Sequence, residues 1–275
     1  MKKLIFVKMF VIALLVLSFV IFTGNLNAQA TLPVYEPFNY SVGNLSGNAG
    51  WAATGANTAS VVQVVDTSLT YTNLPTSAGK KVAVLNGTSF EDPGFDITAT
   101  GSQTVDSSVF ASFILKVVNP GNTTGDYFFH FCSAGTASTD YHSRVHVKQG
   151  SGGATTYLMG LRNHNNDTIQ FESVDRTAGT PIFVVVSYDF VTGTINDTSR
   201  IWVNPTLGES VPPTPLLTLT AVGTTNIDLA SIGRINLRQG SGDTDTSLEV
   251  DELRVGTTWA SVTPPQSSVK DWNLH

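Results

Sequence analysis

Four of the five histidines fall between His130 and His164, and two of them lie in the run His142-Ser143-Arg144-Val145-His146-Val147-Lys148. As a strand, this run would place His142, Arg144, His146 and Lys148 on one face and Ser143, Val145 and Val147 on the other. Histidines four positions apart on a strand stand about 13 Å from each other, too far to share one zinc ion. Neighbouring strands could still supply a pair, but no metal-ligand spacing motif marks one. His130 is opposite in parity to Tyr127, Phe129 and Phe131, and Arg162 is opposite to Tyr157, Met159 and Leu161. If those strands are neighbours, His130, Arg144, His146 and Arg162 share one sheet face, with Tyr141 and Asn165 beside it. That ribbon is either a solvated face of an antiparallel sheet or a binding surface.

A second group of chemistry-bearing residues closes the chain, in Leu248-Glu249-Val250-Asp251-Glu252-Leu253-Arg254-Val255-Gly256. Strict alternation sets Glu249 and Asp251 on the same face as Leu253 and Val255. A carboxylate on a face that becomes buried needs hydrogen-bond donors or a metal ion. Gly256 then breaks the strand, Thr257 or Thr258 can cap one helical turn, and Trp259 is a large plug for a core edge. Asp243 and Asp245 form another acidic spot, read as solvated because it sits in a glycine-rich turn. No G-x-S-x-G is present, and Gly150-Ser151-Gly152 has neither a nucleophile elbow nor a base.

The elements that must carry these residues are strands. Residues 1–30 read as an export signal: Lys2, Lys3 and Lys8, an apolar run from Met9 to Phe22, and the small-residue site Ala28-Gln29-Ala30. The apolar run is shorter than the roughly 20 residues of a spanning helix, so no membrane span is expected after its removal. No cysteine stands near the cleavage site, so a lipoprotein anchor is not expected. Loss of three lysines leaves twelve basic residues against twenty-one acidic ones, a net charge of -9. Such an acidic surface speaks against a nucleic-acid partner. Cys132 is the single cysteine, which rules out an intrachain disulfide and fits a small buried hydrophobe.

Beyond the leader, Gly, Thr, Ser and Asn punctuate short β-branched and aromatic runs, and no long 3.6-residue period appears. Strands are predicted over residues 34–40, 60–65, 81–85, 107–118, 127–132, 142–148, 155–162, 168–174, 182–189, 199–203, 216–221, 233–238 and 247–255. Lys148-Gln149-Gly150-Ser151-Gly152-Gly153 and Arg238-Gln239-Gly240-Ser241-Gly242-Asp243 both read as glycine-rich hairpin connections. Pro212-Pro213-Thr214-Pro215 reads as a stiff loop crossing between sheets. Trp51, Trp202 and Trp259 read as packing residues. One domain over 31–263 is expected, followed by a short tail, 264–275, that carries Trp272.

Four stretches carry a resemblance: Tyr35-Glu36-Pro37-Phe38-Asn39-Tyr40-Ser41-Val42-Gly43, Gly50-Trp51, Ile201-Trp202-Val203-Asn204-Pro205, and Val250 to Trp259 with Val262. Together they resemble the concanavalin A-like (laminin G-like) jelly-roll domains of exported bacterial proteins. The resemblance implies an all-β, two-sheet antiparallel β-sandwich. It also implies a structural Ca²⁺ pinned between first and last strands, for which the matching positions are Glu36, Asp251 and the loop at Gly43 and Asn44. The other reading of Glu36 and Asp251 is solvation, or pairing with a base such as Arg254.

Glucanases with this fold resemble one another in a strand motif E-x-D-x-x-E, and a retaining mechanism needs two carboxyls about 5 Å apart. The nearest match, Glu249-Val250-Asp251-Glu252-Leu253-Arg254, has Arg254 in place of the last acid. Glu36, Glu91, Glu172 and Glu209 offer no other such set. The expectation is therefore an exported recognition protein (periplasmic, cell-surface or extracellular) without catalysis. It would bind a polysaccharide or glycoconjugate through His130, Tyr141, Arg144, His146, Arg162 and Asn165 on a concave face. The alternatives are a structural or adhesive surface protein with a protein partner and, behind it, a glycan-active hydrolase.

Overall fold

The computed structural model describes residues 29–58, 62–85, 91–135, 140–164, 167–221, 228–240 and 246–265. In chain order the strands are β1 (Val34–Glu36), β2 (Gly43–Asn44), β3 (Trp51–Thr58), β4 (Val62–Val65), β5 (Lys81–Val84), β6 (Glu91–Thr100), β7 (Ser107–Asn119), β8 (Asp126–Cys132) and β9 (His142–Gly150). They continue with β10 (Gly153–Arg162), β11 (Gln170–Phe171), β12 (Arg176–Thr177), β13 (Ile182–Phe190), β14 (Thr198–Val203), β15 (Leu217–Thr220), β16 (Ile232–Leu237) and β17 (Ser247–Gly256). One helical turn, α1 (Trp259–Val262), follows.

The protein is a β-sandwich of two antiparallel sheets. The nine-stranded sheet runs β15-β14-β13-β7-β17-β5-β4-β2, with β1 also paired to β17. The eight-stranded sheet runs β11-β10-β9-β8-β16-β6-β3, with β12 also paired to β10.

Alternation in the long strands explains the layering. In β7, Val109, Ala111, Phe113, Leu115 and Val117 enter the core between the sheets, while Phe110 and Ile114 point the other way. In β13, Ile182, Val184, Val186, Tyr188 and Phe190 face the same core, and Phe183 and Val185 face outward. Both faces of these central strands are apolar because the outer face is covered too. Leu69, Leu74, Trp202, Trp259 and Val262 build a second cluster there, partly on α1. Thr258 caps that turn by accepting a hydrogen bond from the Ser261 amide. Trp202 thus points away from the central core and is buried nonetheless, 5.0 Å from Trp259.

Four strands have no counterpart among those the sequence predicts: β2, β3, β6 and β12. In β6 the turn-like Asp92-Pro93-Gly94 hides the strand. Pro93, which has no N–H to give the ladder, sits opposite Ala53 where the pairing with β3 becomes irregular. A side chain at Gly94 would collide with Arg234 and Asn236, whose polar ends lie across its backbone.

Two connections also differ from expectation. The link 238–246 does not close a hairpin: β16 belongs to the eight-stranded sheet and β17 to the other, so the chain crosses between them there. Pro212 to Pro215 joins β14 to β15, which pair within one sheet. The turn between β9 and β10 is the expected hairpin.

Strict alternation also fails in β17. Leu248, Val250, Leu253 and Val255 all enter the central core, because the pairing with β7 shifts between Asp251 and Arg254. Glu252 takes a left-handed φ of 56° at that bulge, which moves the parity by one. Asp251, opposite Ile114, therefore faces the second cluster and not the side of Leu253.

Candidate ligand-binding face

The outer face of the eight-stranded sheet collects the polar ribbon. On β9, Val145 and Val147 enter the core, so Arg144, His146 and Lys148 project from the other side. His142 departs from the expected ribbon: Ser143 takes a left-handed φ of 47° and the register with β8 slips, so His142 sits opposite Phe131 and turns toward the core ring of Tyr188. Arg144 lies opposite Arg162 on β10, and His146 opposite Gly160. On β8, Phe128, Phe129 and Phe131 are core residues, and His130 is paired across to Asn236 of β16. Tyr127 differs from the expected parity: the register slips between Tyr127 and Phe129, and Tyr127 sits opposite His146 on the polar face.

The side chains meet closely. The Arg144 guanidinium carbon lies 4.7 Å from the Tyr127 ring centroid and 5.2 Å from that of Tyr141. The His130 ring is 4.4 Å from Tyr141 and 5.7 Å from Tyr127, and the His146 ring is 5.5 Å from Tyr127. Arg238 approaches Tyr127 to 4.2 Å while donating to Asp126 Oδ2 at 2.7 Å. Sequence reasoning missed Tyr127 and Arg238. Arg238 comes from the far end of the chain, and only the β8–β16 pairing brings it here.

Burial separates this cluster into a floor and a rim. His130, His146 and Arg144 are 0%, 3% and 4% exposed, whereas Tyr127 and Tyr141 are half-buried. Both ring nitrogens of His130, both of His146, and Nε and Nη2 of Arg144 are buried with no hydrogen-bond partner among the described residues. An unsatisfied buried polar group costs about 1–3 kcal/mol, so six in one place form a large local penalty unless something binds there.

Charge follows the same plan. Burial, helped by Arg144, Arg238, Arg234 and His142, holds the His130 imidazole well below its ordinary range. Burial likewise pushes His146 down to about 3, with Arg144, Arg162 and Arg238 adding to the effect. Both rings are therefore neutral near pH 7, each with one N–H donor and one acceptor lone pair. With a pKa of about 3, His146 is a poor general base at neutral pH. Asp92, pushed up to about 6 by burial despite Arg238, and Asp126 are the acids on the Arg238 side.

The remaining sequence-predicted residues lie at the margin. Arg162 donates through Nε to the Asp167 carbonyl at 2.8 Å. His142 packs on His164 at 4.7 Å and on Tyr188 at 5.3 Å. Asn165 lies outside the described residues. Toward the β9–β10 hairpin, a cavity of about 650 Å³ opens over Lys148, Leu158, Val174 and Asp175. Lys148 and Leu158 are paired and share the face of Arg144.

The acids considered for calcium do not come together. Glu36, opposite Leu253, points into the central core, where Oε1 accepts from the Phe38 amide at 2.6 Å. Its Oε2 accepts from the Tyr40 hydroxyl at 2.6 Å and from Trp51 Nε1 at 3.1 Å. Asp251 faces the opposite side of the sheet and accepts from the Leu69 and Glu252 amides at 2.6 and 2.7 Å. Gly43 and Asn44 form the edge strand β2, separated from β17 by β4 and β5. Oxygens already turned to N–H and O–H donors on two faces of a sheet do not make a calcium cage, so these residues do not fit the ion. Burial pushes the Glu36 carboxyl up, and Asp251 up to about 8, against the pull of those hydrogen bonds.

The acids of the glucanase-like stretch are likewise separately engaged. Glu249 pairs with Lys81 and Lys116 at 3.1 and 3.2 Å, and Glu252 with Arg254 at 2.6 Å. Among the described residues, no group of three or more His, Cys, Asp or Glu side chains is placed to hold a metal ion. No helix among them is long and apolar enough to cross a membrane.

No family model matches this chain, and no curated protein matches it. Among solved structures, the globular domain of T. cruzi calreticulin is similar at 9% identity and a TM-score of 0.47, over 82% of this chain and 90% of that one. The CBM2 module of the evolved Dit of Lactobacillus casei BL23 phage J-1 is similar at 10% identity and 0.44, over 81% and 94%. The potassium-bound carbohydrate recognition domain of Emp46p is similar at 8% identity and 0.39, over 75% and 88%. Likeness at this level says nothing about what the present chain binds.

Proposed function

We propose that this is an exported, non-catalytic recognition protein that binds polysaccharide or glycoconjugate on the outer face of its eight-stranded sheet. The observation that carries the reading is the set of nitrogens on Arg144, His130 and His146 that have no hydrogen-bond partner among the described residues, beneath the half-buried rings of Tyr127 and Tyr141. A sugar ring offers hydroxyls that both donate and accept, which suits neutral imidazoles, and C–H faces that suit a tyrosine ring. The cavity over Lys148 and Leu158 supplies further length on the same face for a chain of sugars.

The test is a glycan-array screen of the purified protein and of Arg144→Ala. Selective binding that the substitution abolishes supports the reading. Absence of binding to every glycan, by a protein that unfolds cooperatively, would transfer the weight to an adhesive role with a protein partner.

A further inference from the structure

We propose that the sugar this face takes is acidic, with an oxyanion, carboxylate or sulfate ester, seated in the Nε–Nη2 fork of Arg144. The inference rests on the glycan-binding reading and sharpens it to a substrate class.

The protein pairs its other buried arginines with care. Arg234 and Arg254, 0% and 1% exposed, reach Asp96 at 2.7 Å and Glu252 at 2.6 Å. Arg176 and Arg238 pair with Glu172 and Asp126, Arg200 pairs with Asp189, and Arg162 donates to a backbone carbonyl. Arg144, at 4% exposure, forms no ion pair with any described residue. Burial of a guanidinium without an anion is unfavourable; the Tyr127 and Tyr141 rings offset part of that cost, and an anionic ligand would offset more.

The unpartnered atoms say which kind. Nε and Nη2 carry the two N–H bonds that run parallel along one edge of a guanidinium, the edge that clasps two oxygens of a carboxylate or sulfate side by side. Arg162 and Arg238 add positive potential nearby and favour an incoming anion. Of the acids on the Arg238 side, Asp126 is already held by Arg238, and Asp92, whose Oδ1 is buried without a hydrogen-bond partner among the described residues, is the acid an incoming anion must oppose. His130 and His146, neutral beside these arginines, can then donate to ring hydroxyls or accept from them. Tyr141 is the half-buried ring over His130 and Arg144, so an entering anion displaces this side chain.

The experiment titrates the purified protein with oligogalacturonate, with the same oligosaccharide after carboxyl reduction, and with dextran sulfate against plain dextran. Acidic probes are expected to bind at least about tenfold tighter than their neutral counterparts, as charge-assisted bidentate bonds require. Preference for the carboxylate or for the sulfate identifies the source of the anion. Arg144→Lys, which keeps the charge and loses the fork, should weaken acidic binding about tenfold. Equal binding of acidic and neutral probes, or acidic binding unaffected by Arg144→Lys, would overturn the acidic-sugar inference while leaving the glycan reading intact. If neither these probes nor the array glycans bind a cooperatively folded protein, the glycan reading itself fails. The comparison of probes on the unsubstituted protein decides the matter even if Arg144→Lys does not fold.

Discussion

Arg144 and Tyr127 meet face on, the guanidinium carbon 4.7 Å from the ring centroid, and Arg238 approaches the same ring to 4.2 Å. Tyr127 is thus the hub on which two cations of the polar face rest. Each cation–π contact is worth about 0.5–2 kcal/mol. Tyr127→Leu should lower unfolding free energy by about 1–3 kcal/mol, and Tyr127→Phe, which keeps the ring, by less than about 1 kcal/mol. Denaturant melts of both variants check this, and equal losses would mean that the ring itself contributes nothing.

The floor histidines give the protein an acid-sensitive stability of defined sign. An unfolded histidine titrates near 6.5, whereas folded His146 is held down to about 3 by burial and by Arg144, Arg162 and Arg238. Above pH 6.5 neither state binds the proton, and the residue contributes no pH dependence. As pH falls from 6.5 toward 3, the unfolded chain takes up a proton that the folded protein does not, so stability falls by up to about 1.4 kcal/mol per pH unit. His130 acts in the same direction. Asp92, pushed up to about 6, acts in the opposite one, since its folded form takes up the proton first. The contribution is therefore isolated by a difference: His146→Gln should flatten the slope between about pH 6.5 and 4.5 by one proton's worth relative to wild type. Urea melts at several pH values measure it, and parallel curves would show that His146 titrates alike in the folded and unfolded states.

Much of this was legible in the sequence, and the failures have physical causes. From Arg144 to Lys148 the alternation holds, so that part of the polar face of β9 follows from the period alone, whereas His142 falls on the core side because Ser143 takes a left-handed φ of 47°. The same rule failed at Glu252, because a non-glycine residue with a left-handed φ leaves no mark in composition yet reverses every side chain after it. At Tyr127 it failed for a different reason, a register slip between Tyr127 and Phe129 in the pairing of β8 with β9. Arg238 could not be placed, since the β8–β16 pairing joins segments about a hundred residues apart and nothing local encodes it. The strands β3 and β6 were hidden by small residues and by Asp92-Pro93-Gly94, which the polar face needs so that Arg234 can lie across Gly94.

Glu36 is a structural carboxylate that organises the start of the chain. Its two oxygens accept from the Phe38 amide, the Tyr40 hydroxyl and Trp51 Nε1. Glu36→Ala should cost about 2–4 kcal/mol, since it leaves a buried amide and an indole N–H without acceptors. Addition of a chelator should leave the melting temperature unchanged. A drop on chelation that Ca²⁺ reverses would show that Glu36 serves an ion after all.

Glu252 tests whether the bulge in β17 is held by charge or by backbone preference. Its carboxylate accepts from Arg254 Nη2 at 2.6 Å and from the Tyr35 hydroxyl at 2.6 Å, and the Arg254–Glu252 pair is about 1% exposed on both sides. Its φ of 56° would suit glycine better than any other residue. Glu252→Gly removes the backbone strain and the charge together, and it takes from buried Arg254 its carboxylate at 2.6 Å. Loss of one partner of a buried pair costs about 3–5 kcal/mol, more than the conformational gain of a glycine at a left-handed position. The single variant is therefore expected to be destabilised. Adding Arg254→Met should restore a good part of the loss, because no buried charge is then left alone and the methionine still fills the space beside the Tyr35 ring. Both stabilities are read from denaturant melts. If Glu252→Gly is as stable as wild type, the ion pair does not hold the bulge, and relief of the left-handed backbone outweighs the loss of charge pairing.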